Sequence, residues 1–290
     1  MIGSDNDAMG VAILAWLALV ALLGLGNTVG YHRLLTHRAF VAKPVVRGAF
    51  TLLGAVTGGS PVLWVGLHRL HHARSDGEGD PHSPREDGFA WAHAGWLIGV
   101  RSPVVVAIFA LSGFGQQGMI ALHDLRRVLG RNPPTWRELC GDLMREPLMR
   151  ALDTPGVMPA LFVAQVALAW AVGGGWGVLW LWGVHVYLTN SSWAVNSVCH
   201  WPAFGRQPRA TGDDSRDVPW MALFTLGESW HNAHHRHPRS ARHGLDGGFD
   251  PSWRVIQGLC AAGWAEKPWL PKEPGLPSRV PPEPVSRSAP

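Results

Sequence analysis

Three histidines close the stretch Glu228-Ser-Trp-His-Asn-Ala-His-His235, at positions i, i+3 and i+4: His231, His234 and His235. On a helix that spacing sets the three imidazoles on one face, about 5–6 Å apart at their β-carbons. Neutral imidazoles converging in this way make a half-site for a transition metal. His68, His71 and His72 repeat the spacing far upstream; His32 with His37, and His200 with Asn196, add two more clusters. These nine histidines exceed the need of one metal and could hold two ions at four or five ligands each. Asn196 would add a water-mediated contact, because an amide is a poor direct ligand. Two adjacent irons can share the electrons that cleave dioxygen. The resulting oxidant can take hydrogen from an unactivated C–H bond, which no side-chain acid or base can do. Beyond the metal centre no separate catalytic residue is expected.

Rival chemistries fit less well. Two-metal hydrolysis uses bridging carboxylates, and these clusters are almost free of them. Glu228-x-x-His231 matches the Glu-x-x-His of ferritin-like di-iron proteins once, with no second copy, so an all-nitrogen site is preferred. No His-Glu-x-x-His occurs, which excludes a zincin protease. His185 lies in an apolar run and reads as a packed, hydrogen-bonded residue. His82, His93, His123, His237 and His243 lack a partner at helical spacing and are placed behind the ligands or at the surface. Glu228, Asp80 and Asp214 are candidates to orient imidazoles through their free N–H, or else to serve as loop hydrogen-bond acceptors.

The elements that must position these clusters are apolar. The chain has 290 residues, a net charge of +4 and only 16% charged residues, against roughly 25% in typical domains. Its sixteen tryptophans favour membrane–water interfaces. No basic stripe interleaved with aromatics suggests nucleic acid. Cys140, Cys199 and Cys260 form no Cys-x-x-Cys and no disulfide framework, in keeping with a reduced compartment.

Residues 9–30 are long enough to cross a bilayer, with Asp5 and Asp7 before and Arg33, Arg38, Lys43 and Arg47 after. The positive-inside rule places His32 and His37 on the cytoplasmic side. A signal peptide is the alternative, but its flank would be acidic and its cleavage would fall near the first cluster. Residues 48–67 are interrupted at Gly58-Gly59-Ser60-Pro61. A full crossing there would part the first two clusters, so the stretch reads as an interfacial helix or a shallow re-entrant hairpin. Residues 89–115 also suit the interface. Between His123 and Leu152 six arginines are interspersed with apolar residues. Most read as a solvated face beside anionic headgroups, the alternative being a dock for an anionic substrate head or an acidic protein.

Residues 157–172 and 176–198 form a transmembrane hairpin around Gly173-Gly174-Gly175. Three crossings in all leave every cluster on one side, consistent with a single site in one domain, 1–265. Residues 266–290 read as a proline-rich disordered tail. The fold class is an all-α integral membrane protein. A non-enzymatic metal-binding or transport protein is a further alternative, though only His185 offers a ligand within the bilayer.

At these residues the chain resembles the membrane-bound fatty acyl desaturase family, which includes stearoyl-CoA Δ9 desaturases. The matching segments are Gly30-Tyr-His-Arg-Leu-Leu-Thr-His-Arg-Ala-Phe40, His68-Arg-Leu-His-His72 with Asp80-Pro-His-Ser-Pro84, Trp193-Ala-Val-Asn-Ser-Val-Cys-His200 and Gly227-Glu-Ser-Trp-His-Asn-Ala-His-His235. Pro238 and Ser240-Ala-Arg-His-Gly244 continue the last motif. The resemblance implies that the nine histidines bind two irons, that Asn196 holds a water and that Trp193 lies near an acyl tunnel. It implies a transmembrane helical stalk under a cytoplasmic helical cap in the cell inner membrane. It also implies O2-dependent removal of two hydrogens from a fatty acyl chain, with Δ9 the expected position. Electrons would come from a separate carrier of ferredoxin or cytochrome b5 type with its reductase. The family has two helices before its first histidine motif where this chain has room for one. Many acyl-CoA desaturases carry a charged pair where this chain has Gly66 and Leu67, which leaves carrier-protein and phospholipid esters open beside CoA. Hydroxylation of a lipid or hydrocarbon by the same centre is the nearest alternative.

Overall fold

The computed structural model describes residues 2–131 and 135–272. It is mostly helical, with one minimal sheet. Helix α1 (Ile2–Leu25) runs without a break into a π-helical stretch, Gly26–Thr36. The wider turn is visible in the His37 N–H, which donates to the carbonyl of His32 five residues back at 3.2 Å. Single π segments of this kind inside helices often mark functional positions. Two glycines let this stretch lie directly on helix α2 (Pro44–Gly58): a β-carbon at Gly26 would sit 2.4 Å from the Gly54 nitrogen, and one at Gly30 2.8 Å from the Phe50 carbonyl. That close approach fixes His32 at the end of an apolar helix.

Helix α3 (Pro61–Arg74) leaves α2 at 81°. The break is encoded locally. Gly59 takes φ +78°, Ser60 caps α3 by accepting from the N–H groups of Val62 and Leu63, and Pro61 suits the first helical position. Residues 89–115 likewise break, with Trp91–Ile98 and helix α4 (Pro103–Leu111) bent by 81°. Helix α5 (Gly115–Val128) follows. Two arginines, one at the end of α5 and one beyond it, are less solvated than their pattern suggests. Arg127 and Arg137 both pair with the buried carboxylate of Asp153, at 3.2 and 2.6 Å, and Asp153 also accepts from Ser60 at 2.8 Å. Two of the six therefore tie the α2–α3 corner to the segment before the next helix.

Helix α6 (Val157–Val198) spans 42 residues, which as a straight rod would run about 63 Å. It does not. Gly174 has non-helical angles (φ 57°, ψ −141°), and His185 lies 3.3 Å from Gln165 although they are twenty residues apart. The chain doubles back at the triple glycine. His185 is fully buried against Phe162 and Phe114, the packed role read from its position. Among the described residues two helices are long and apolar enough to cross a membrane, Met9–Thr36 and Val157–Val198, or up to four if each bent pair is one span.

The remaining elements close over the histidines. Helix α7 (His231–Arg236) is short, and helix α8 (Pro251–Ala261) packs Trp253 and Ile256 into a core with Val29, Tyr31, Leu35, Val62 and Val65. The expected tail starts too early. Ala265 and Glu266 pair antiparallel with Ala42 and Val41, and Trp269 donates to the Ala39 carbonyl and accepts from the Ala241 N–H. Proline spacing carries no trace of such backbone pairing. Residues 273–290 of that tail lie outside the described residues.

Candidate metal centre

The nine histidines separate into two sets. His32, His37, His68, His72 and His234 form one; His71, His200, His231 and His235 form the other. Within each set the candidate ligand atoms lie within 4.8 Å of one another. Helical geometry explains the division. Positions i+3 and i+4 differ by about 100° around the axis, so a His-x-x-His-His triple does not present one face but straddles two. On α3, His68 and His72 face the first set and His71 the second. On α7 the assignment is reversed: His231 and His235 face the second and His234 the first. The single-face expectation is thus corrected, and each triple serves both sets.

Spacing within the sets suits metal ligation. In the first, Nε2 atoms follow one another from His32 to His234 (3.0 Å), His72 (2.9 Å), His68 (3.1 Å) and His37 (3.1 Å). In the second, Nε2 of His235 lies 3.0 Å from Nε2 of His231. Two nitrogens about 2.1 Å from a common ion and at right angles are separated by about 3.0 Å.

Four carboxylates decide which nitrogens face inward. Nδ1 of His71 meets Asp80 at 3.0 Å, Nδ1 of His200 meets Asp76 at 2.6 Å and Nδ1 of His235 meets Asp213 at 2.6 Å. Nδ1 of His32 lies against Glu228. An imidazole that donates its Nδ1–H to a carboxylate presents an unprotonated Nε2, and here those lone pairs are aimed at one another. The Nε2 of His200 is buried with no hydrogen-bond partner. Facing lone pairs at 3 Å repel unless a cation lies between them, so the donor set fits transition-metal ions.

The electrostatics agree. Burial, reinforced by mutual repulsion among the imidazoles, pushes His37, His231, His234 and His235 well below the usual histidine range, which keeps them neutral and able to ligate. Burial works against ionisation of Asp76, but its bonds to His200 and to the Asp214 N–H outweigh it and bring the carboxyl down to about 2. Asp80 and Asp213 are lowered in the same way against their burial, by His71 and His235. Glu228 is lowered too: His32 and Arg33 overcome its burial. The Arg33 guanidinium is fully buried and bridges Glu228 and Asp250, at 3.0 Å each.

Sequence reasoning found Glu228 and Asp80 but chose Asp214, which instead pairs with Arg85 at 2.7 Å. Its neighbour Asp213 carries the contact to His235, and Asp76 was missed. Two adjacent aspartates in an irregular loop give no spacing from which to choose. His82 and His243 stand behind the candidate ligands. The His82 ring lies 4.4 Å from that of His71, and the fully buried His243 ring lies 4.5 Å from that of His234. His93 is bracketed by Ser197 and Asn190.

Two cavities, of about 260 and 350 Å³, reach the histidines: His68 and His82 line the smaller, and His32, His68 and His231 the larger. They share a wall made by Asn27, Trp64, His68, Leu188, Ser192 and Asn196. Asn196 therefore sits beside the first set on the face that both cavities touch. Trp193 lines the smaller cavity, where its ring stacks on Phe109 at 5.8 Å. The larger cavity continues between α1 and α6 past Leu17, Val20 and Tyr187.

Comparison with known proteins points the same way. The sequence profile of the fatty acid desaturase family matches residues 12–247. The chain is 35% identical over 252 residues to a palmitoyl-monogalactosyldiacylglycerol delta-7 desaturase of Arabidopsis thaliana, covering 86% of this chain and 59% of that protein. It is 33% identical over 264 residues to an sn-1 stearoyl-lipid 9-desaturase of Anabaena variabilis, covering 89% and 82%. With an acyl-CoA 5-desaturase of Anemone leveillei it shares 35% over 269 residues, covering 89% and 72%.

Proposed function

The chain belongs to the fatty acid desaturase family, and from that premise we propose that it is an O2-dependent di-iron desaturase that puts a double bond, at the Δ9 position, into a saturated fatty acyl chain. The observation that carries this reading is the sorting of nine buried or half-buried imidazoles into two sets, four of them fixed by carboxylates. The substrate class is an acyl thioester or ester; the relatives' names include both lipid-linked and CoA-linked acyl desaturases. Electrons come from a separate carrier of ferredoxin or cytochrome b5 type, reduced by its own reductase.

The two ions would be held by His32, His37, His68, His72 and His234 and by His71, His200, His231 and His235, with Asn196 contributing through water. Bound iron supplies the oxygen-derived oxidant that can break an unactivated C–H bond. The stoichiometry closes with two hydrogen atoms from the substrate (two electrons and two protons), two electrons from the carrier and two protons from solvent, which together take O2 to two waters.

The chain's own residues supply placement. Asp76, Asp80, Asp213 and Glu228 hold imidazole rings in one tautomer and orientation. Leu17, Val20, Leu188 and Val195 line the larger cavity and keep water from a hydrocarbon chain. His68 and Asn196, on the wall common to both cavities, put methylenes that pass there next to the ions. Trp193 marks the smaller cavity as part of the acyl path.

In this reading the apolar segment Met9–Thr36 and the folded-back pair within Val157–Val198 form the stalk in the cell inner membrane. The histidine sets lie on the cytoplasmic side, where the basic residues after the first span belong. Expression in a host with a compatible electron donor tests the reading. Gas chromatography with mass spectrometry should show a new unsaturated fatty acid. Unchanged fatty acids in cells whose purified protein carries two irons would overturn it, and a product heavier by one oxygen would assign hydroxylation.

A further inference from the structure

We propose that the surface carrying Arg74, Arg236 and Arg239 is where an acidic one-electron carrier protein docks. The inference rests on the desaturase reading, which draws two electrons per turnover from outside the chain.

The argument starts from the ends of the two helices that carry the histidine triples. Helix α3 ends at Arg74, two residues beyond His72, and α7 ends at Arg236, one residue beyond His235. These ends meet. Ser75 Oγ lies 3.5 Å from Nδ1 of His235, and the rings of His72 and His235 are 4.5 Å apart. One ring belongs to each metal set, so this junction is where both sets come within one or two residues of exposed side chains.

All three arginines are exposed. Arg236 and Arg239 have no ion pair among the described residues, and Arg74 reaches only the carbonyl of Glu78, at 3.2 Å. Arginines elsewhere around the sets are engaged: Arg33 with Glu228 and Asp250, Arg38 and Arg69 with Asp142, Arg85 with Asp214, Arg209 with Asp246. Arg74 and Arg236 at this junction, with Arg239 three positions further along the chain, are cations without an ion-pair partner among the described residues, and such cations steer a negatively charged partner and raise its association rate in a salt-dependent way. Each encounter delivers one electron, and two encounters supply the two that the carrier contributes to the reduction of O2.

The test uses the full chain, iron-loaded, in nanodiscs of neutral lipid, and its variant Arg74→Glu/Arg236→Glu/Arg239→Glu. The probes are a plant-type [2Fe–2S] ferredoxin and the soluble domain of a cytochrome b5. Binding is measured against salt concentration, and re-oxidation of each reduced carrier is followed in parallel. The wild type should bind at least one carrier, and the reversal should weaken that binding at low salt by about tenfold or more. Iron content and reduction by dithionite should stay as in the wild type. Unchanged carrier binding in the variant, or no binding of either carrier to the wild type, overturns the proposal. So does a variant that loses adsorption to anionic vesicles while keeping carrier binding, which would assign the face to the membrane. Dithionite-driven product formation by the wild type tests the desaturase reading separately.

Discussion

Arg33 and Glu228, 195 positions apart, meet in the interior: Nη2 of Arg33 lies 3.0 Å from Oε1 of Glu228, and the guanidinium has no exposure to solvent. The same guanidinium holds Asp250, so two buried carboxylates depend on one cation. Removing it leaves two negative groups uncompensated, and breaking a buried pair of this kind costs about 3–5 kcal/mol. Arg33→Ala should therefore lower the thermal unfolding midpoint sharply in detergent, with Arg33→Lys less damaging. An unchanged midpoint for the alanine variant would contradict the network.

Asp76 and Asp213 each face the outer nitrogen of a candidate ligand. Replacing either by Asn weakens the bond that sets the ring's tautomer. Losses of about 10–100-fold in metal affinity are usual for such outer partners. Asp76→Asn and Asp213→Asn should bind iron that much more weakly in chelator competition. Asp214→Asn, whose carboxylate pairs with Arg85 instead, should bind iron like the wild type.

His71 and His234 fall in different sets. His71→Ala and His234→Ala should each abolish product formation and lower bound iron well below the wild-type content, while the protein still inserts in membranes. Iron analysis of the purified variants checks this. Wild-type stoichiometry in both would refute the ligand assignment.

The metal-stripped protein should lose stability as the medium turns acidic. His37, His231, His234 and His235 sit well below 6.5 in the fold, whereas an unfolded chain binds protons near 6.5. The unfolded state then carries more protons, so stability rises with pH up to about 6.5 and levels off above it. Thermal unfolding of chelator-treated protein between pH 5 and pH 8 should follow that course. A midpoint that falls as pH rises from 5 to 6.5 would reverse the sign.

Much of the site was legible because imidazole is a rare side chain and helical spacing is strict. The spacing of His68, His71 and His72, repeated at His231, His234 and His235, marks side chains that the fold brings into two clusters. It could not reveal which ring serves which set, because that depends on how α3 and α7 roll against each other. The reversal at Gly173–Gly175 was readable from three glycines between apolar runs. Asp76 and Asp213 were not, because their role comes from loops that close on histidines 124 and 22 positions away. The tie of Arg127 and Arg137 to Asp153 was hidden for a related reason: an arginine that will pair with a buried carboxylate looks the same in sequence as one that faces water.

The crossed use of the two histidine triples has a mechanical corollary. Because α3 and α7 each feed both clusters, neither helix can rotate or slide without disturbing the two together. Filling one position with an ion would pin both helices and so prearrange the other, which favours all-or-none loading over a half-filled state.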